Sequence, residues 1–357
     1  MVSDNNTSFL ESFCLSSDPL LGKPKNSGRS KQRNTTNFYF KRTQGVKLIT
    51  FDNRIIFYVC ISQFIHMRKY SLYIILLLSF FAGSSFTVSA QKVTQPKTKE
   101  EWSRLYEPFR IAGNLYYVGT YDLGCYLITT TRGNILINTG LAASATQIKH
   151  NVEKLGFKFK DIKVLLITHA HYDHVGALAK IKKMTGAKLM VNENDSAVLA
   201  DGGMSDFALG IYGRSFAPVK ADRYLHDHDM ISLGDMHLEM LHHPGHTKGA
   251  CSYLFDVKDD KRNYRVLIAN MPSIVIDEKF SAIKSYPNIA NDYAYTLSHM
   301  KKLSFDIWVA SHASQFNLHD KHQPGDAYNP GAFMDRKGYD AELDELQSDY
   351  DKKMENN

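Results

Sequence analysis

The stretch Thr168-His169-Ala170-His171-Tyr172-Asp173-His174 places four side chains able to ligate a metal within six positions. Neutral imidazole and ionised carboxylate are donors that suit zinc. Immediately upstream, Val164-Leu165-Leu166-Ile167 is an uninterrupted apolar run, the pattern of a strand buried on both faces. Ligands at the end of such a strand are positioned with little residual entropy. On an extended segment His169 and His171 point the same way, while Asp173 and His174 fall one turn further on, so the cluster can serve two adjacent ions. Far along the chain, His246 (in HPGHT) and His312 (in SHA) each follow a strand-like apolar segment and complete a set of six ligands. A second HxH pair, His226 and His228, is flanked by Asp227 and Asp229 but has no buried run before it, and reads as a surface turn. His242 and His243 are open to a role in orienting ligands or to core and surface roles. His299, His319 and His322 stay unassigned.

The elements that must hold these groups are legible in outline. The chain has 357 residues, 43% hydrophobic and 22% charged, with 10 prolines, which suffices for a buried core and excludes disorder, collagen and coiled-coil readings. Four cysteines cannot staple a chain of this length, and none form a CxxC spacing, so any metal must be held by histidine and carboxylate. Strands are expected at Leu115 to Val118, Cys125 to Ile128 and Asn134 to Asn138, with Arg132-Gly133-Asn134 turning a hairpin. Residues 142–155 carry Ile148, Val152 and Leu155 at helical spacing, closed by Gly156. A helix from Gly176 to Met184 and a strand from Lys188 to Val191 follow. In the second half strands are expected at Met236 to Leu241, Cys251 to Val257, Val266 to Ala269 and Ile307 to Ala310, with helices near 288–302 and 340–354. Interleaved strands and helices predict an α/β sandwich of sheets covered by helices, with strand-end loops free for chemistry. Cys125 and Cys251 fall in apolar strands as packing residues, with a disulfide between them left open.

The first 90 residues read differently. From Met67 the chain gives Met-Arg-Lys, the apolar run YIILLLSFFA and small residues ending at Ala90, the layout of a secretory signal peptide; a membrane anchor is the alternative. Met67 is then the expected start, residues 1–66 upstream sequence without a fold, 67–90 a cleaved leader, and 91–357 an exported, periplasmic domain with no stable membrane association. Eleven of the 43 basic residues but only four of the 37 acidic ones lie in those first 90, leaving 32 bases against 33 acids in the remainder. The folded part is therefore near neutral, and nothing in it points to nucleic acid.

The segments HAHYDH, HPGHTKGACSYLF and the late SH resemble the metallo-β-lactamase superfamily. The segments EPFRIAGNLYYVG, ILINTGL, YPNIANDY and SHASQFNLHDK are similar to its third class B subclass, exported enzymes that bind two zincs without a cysteine ligand, and the likeness runs from about Trp102 to about Tyr339. The resemblance implies the four-layer αββα fold and two zinc ions per chain. It assigns His169, His171 and His246 to the first ion, and Asp173, His174 and His312 to the second. It also implies hydrolysis of the lactam amide of a small-molecule β-lactam, carbapenems included, by a zinc-held hydroxide that Asp173 orients. Ser273 would help to receive the substrate carboxylate, or is a plain surface serine.

Two departures matter. The superfamily's thioesterases and lactonases commonly bridge both metals with an aspartate on the strand that here reads VLIANM, and the neutral amide of Asn270 cannot replace that carboxylate. Met271 falls where many third-subclass members carry serine. The competing reading is a di-zinc hydrolase of a lactone, ester or thioester, because fold and metals alone do not choose a substrate. No SxxK with its partner motifs occurs in the mature chain, which excludes a serine β-lactamase.

Overall fold

The computed structural model describes residues 49–51, 54–56 and 92–355. The chain divides into two units, Met1–Val88 and Ser89–Asn357. Of the first, the described part is an antiparallel strand pair, β1 (Ile49–Phe51) and β2 (Arg54–Ile56). The leader expected at residues 67–90 lies outside the described residues.

The second unit contains two sheets. The first has seven strands in chain order: β3 (Phe109–Ala112), β4 (Leu115–Tyr117), β5 (Tyr126–Thr130), β6 (Gly133–Ile137), β7 (Ile162–Leu166), β8 (Lys188–Asn192) and β9 (Arg223–Leu225). It opens as an antiparallel meander and turns parallel from β6 onward. The switch follows from the connections: β5 and β6 are joined by the expected tight turn, with Thr130 opposite Gly133. β6 reaches β7 only across the helix Ala145–Lys154, and a helical crossover returns a strand parallel to its predecessor. The second sheet has five strands, β10 (Met230–Leu233), β11 (Met236–His242), β12 (Cys251–Lys258), β13 (Asn263–Ala269) and β14 (Ile307–Ala310). Its first four run antiparallel, and β14 joins parallel to β13 after the helix Ile289–Met300.

Strand alternation sorts the core into layers. On β5, β6 and β7 the side chains of Tyr126, Ile128, Ile135, Ile137, Val164 and Leu166 join those of Leu238, Met240, Tyr253 and Phe255 from the second sheet in one cluster. The intervening residues Leu127, Leu136 and Leu165 pack instead with Ile148, Val152, Leu178 and Ile181 of the helices Ala145–Lys154 and Leu178–Thr185. Trp308 of β14 meets Tyr339 of the C-terminal helix Arg336–Glu355 at 5.2 Å and donates its indole N–H to Asp335 O. The order is helix, sheet, sheet, helix, the expected αββα sandwich.

The differences from expectation are local. β3, β9, β10 and the helix Ser196–Asp201 are short elements of three to six residues that the sequence did not mark out. The C-terminal helix starts at Arg336, earlier than the expected 340, its first turn being polar and carrying Gly338, a weak helix former. The segment with His226 and His228 is an exposed crossover between the two sheets, where the histidines pair with Glu193 and Glu239. Cys125 and Cys251 are buried free thiols, burial pushes Cys251 up to about 12, and neither belongs to a metal-donor group among the described residues. Cys14 and Cys60 lie outside the described residues.

Candidate metal centre

All six predicted ligands come from loops at strand ends. β7 ends at Leu166, and the chain passes through His169 and His171 into the short helix Tyr172–Val175 that carries Asp173 and His174. The start of that loop is pinned from both sheets. Asn138, at φ +62 just past β6, accepts the Thr168 N–H at 2.9 Å and donates to its hydroxyl at 3.1 Å. From the second sheet Tyr253 donates to Ile167 O at 2.7 Å, Cys251 N–H to Thr168 O at 2.8 Å, and Ser311 Oγ to Thr168 Oγ1 at 2.9 Å. A positive φ at a non-glycine residue beside a functional loop is backbone strain held in place by its surroundings. His246 follows β11 on a loop whose Gly245, at φ +128, lies where a Cβ would come within 2.9 Å of the Tyr293 ring. His312 follows β14 directly.

Two donor groups result. Ligand atoms of His169, His171 and His246 lie within 4.8 Å of one another, as do those of His169, Asp173 and His174. His312 closes the second group: its Nε2 is 3.2 Å from His174 Nε2 and 3.5 Å from Asp173 Oδ2, and the latter two are 3.3 Å apart. Tetrahedral zinc with bonds of about 2.0–2.1 Å keeps its ligand atoms about 3.4 Å apart, so these three atoms already stand at the spacing of one face. Buried His169 Nε2 has no hydrogen-bond partner, a cost that a bound ion would remove. The donor set, imidazole and carboxylate with no thiolate, fits zinc.

The opposite ring nitrogens show how the imidazoles are aimed. His246 Nδ1 donates to Ser273 O at 2.7 Å, which leaves Nε2 as the lone-pair atom, and His312 Nδ1 donates to Asp122 Oδ2 at 3.0 Å, which turns its Nε2 toward the cluster. His169 Nδ1 contacts Thr168 Oγ1 at 3.3 Å, and Asp206 Oδ2 lies 3.6 Å from His171 Nε2. Burial, then the neighbouring His174, holds His169 well below its ordinary value, and burial, then His171, brings His246 down to about 3; both are neutral at physiological pH. Burial alone would raise Asp173, but His174 and His312 outweigh it and keep the carboxylate ionised. Burial alone would lower His312, but its bonds to Asp122 and Asp173 raise it to about 9, so an arriving metal displaces a proton there.

Several residues that hold this arrangement were not foreseen. Asp122 takes hydrogen bonds from His312, from the Trp102 indole at 3.0 Å and from Ser314 N–H at 2.9 Å. Asp206 is held by the N–H groups of Ala208 and Leu209. Ser273 sits at the cluster, but its backbone carbonyl, not its hydroxyl, makes the strong contact with His246, the hydroxyl being 3.4 Å from the same nitrogen. His243 is a core histidine bridged to Ser252 and His299, and His242 meets Asn192.

Known proteins match this architecture. The metallo-β-lactamase superfamily profile fits residues 125–259. The class B3 di-zinc metallo-β-lactamase LRA-12 from an Alaskan soil metagenome is 67% identical over 73% of this chain and 99% of its own, with a TM-score of 0.72. The metallo-β-lactamase GOB-18 of Elizabethkingia meningoseptica is 58% identical over 75% of this chain and 100% of its own, with a TM-score of 0.75. A hydroxyacylglutathione hydrolase of Rhodopseudomonas palustris is 32% identical over 34% of this chain and 38% of its own. The first curated relatives, of which that hydrolase is one, are matched over 36% to 66% of their own length.

Proposed function

The chain belongs to the metallo-β-lactamase superfamily, and from that premise we propose that it hydrolyses the ring amide of β-lactam antibiotics, carbapenems among them, at a two-zinc centre. His169, His171 and His246 would hold one ion, and Asp173, His174 and His312 the other. Zinc, when bound, acidifies water and polarises a carbonyl oxygen, which is the chemistry amide hydrolysis needs.

The protein's own groups do the rest. The neutral imidazoles of His169 and His246 offer lone pairs without a competing proton, and the ionised Asp173 carboxylate would orient an attacking water through the oxygen not given to the metal. Ser273, half-buried beside His246, would receive the substrate carboxylate. No serine nucleophile or acyl-enzyme is required. The leader expected at residues 67–90 would deliver the enzyme to the periplasm.

The observation that carries a lactam over a thioester is Asn270. It is buried directly after β13, its backbone N–H bonded to Ser252 Oγ at 3.0 Å, on the strand where the superfamily's thioesterases and lactonases commonly carry a metal-bridging aspartate. A neutral amide supports two ions held by separate ligand sets, as in the lactamase reading. The test compares a carbapenem with a hydroxyacylglutathione as substrates for the purified protein. A kcat/KM at least about 100-fold higher for the lactam is expected, equivalent to roughly 2.7 kcal/mol in transition-state stabilisation. A preference for the thioester would refute the reading.

A further inference from the structure

Asp195 ends the 3-10 turn Glu193–Asp195 that follows β8, and it is 1% exposed. Its Oδ2 accepts from the N–H of Ala170 at 2.8 Å and from the Thr247 hydroxyl at 2.8 Å, and its Oδ1 accepts from the N–H of Gly249 at 2.7 Å. Ala170 separates His169 from His171, and Thr247 directly follows His246. One carboxylate therefore fastens the ligand loop of the first sheet to that of the second, each within one residue of a ligand. In the second group the Asp122 carboxylate serves His312 alone, its hydrogen bonds going to His312, Trp102 and Ser314 and not to the loop of Asp173 and His174. The approach depends on Gly249, where a Cβ would come within 2.5 Å of Asp195 N and 2.6 Å of its Cγ.

We propose that Asp195 is a positioning residue for the first zinc group, holding His169 and His171 in register with His246 across the two sheets. It touches neither metal nor substrate in this role. Its three charge-assisted hydrogen bonds are short and buried, so they fix loop separation more firmly than apolar packing would. The effect is selective, because the clamp borders all three ligands of the first group and none confined to the second. This inference rests on the two-zinc reading of the site.

The experiment measures the affinity of each zinc equivalent for the full chain by competition with a chromophoric chelator, with melting of the metal-free protein alongside. Asp195→Asn keeps the side-chain volume but turns one acceptor toward the donors as an NH2 group. One equivalent is expected to weaken 10- to 100-fold, the range for lost partners of metal ligands, while the other stays within about threefold of the parent. Thr247→Val removes one donor at nearly constant volume and is expected to weaken the same equivalent by a smaller factor, with Thr247→Ser restoring it. Should Asp195→Asn fail to fold, the Thr247 pair decides. Parental affinity for both equivalents in Asp195→Asn, or equal weakening of both in Thr247→Val, overturns the proposal. A parent that binds two zincs yet hydrolyses no β-lactam defeats the proposed function and leaves this inference standing.

Discussion

Asp173→Asn is expected to lower β-lactam turnover by more than about 100-fold while the protein still folds. Losing a mere partner of a metal ligand costs up to about that factor, so losing a charged ligand must cost more. Asp173 is 7% exposed, with Oδ2 at 3.3 Å from His174 Nε2 and 3.5 Å from His312 Nε2. Asparagine matches its volume but removes the only carboxylate of the six-ligand set, and with it the one anionic ligand. Saturating kinetics would register the fall in kcat, and far-ultraviolet circular dichroism the retained fold. Full activity in this variant would remove Asp173 from the site.

His246→Ala acts on the other half of the centre. It deletes the only first-group ligand supplied by the second sheet, and His169 and His171 cannot close a three-ligand set alone. Bound zinc is expected to fall from two equivalents to one and turnover by at least roughly a thousandfold, about 4 kcal/mol of lost transition-state stabilisation. Metal analysis of the dialysed variant, read beside its kinetics, checks both. Two retained equivalents would show that His246 only packs against the loop it shares with Ser273.

These six ligands were legible because each follows a strand that the apolar pattern reveals, and because four of them crowd into one heptapeptide. The surface reading of His226 and His228 rested on the same criterion, the absence of a buried run before them. Asp122, Asp195 and Asp206 carried no such mark. None belongs to a ligand-like cluster in the sequence, and each gains its role only when folding brings it to a ligand loop 25 to 190 positions away. The layer order followed from interleaved helices and strands, whereas β9 and β10 escaped notice because they are half exposed and carry no buried apolar run. Ser273 adds a contact that its residue type could not announce: its backbone carbonyl aims His246.

The central claim is that zinc held by these six residues drives lactam hydrolysis. Its most direct test is hydrolysis of imipenem and nitrocefin by the purified protein as isolated, after EDTA treatment and after zinc is restored. Turnover that disappears with the chelator and returns with two equivalents of zinc is the predicted result. Turnover that survives complete removal of zinc, or its absence from protein carrying both ions, would contradict the account.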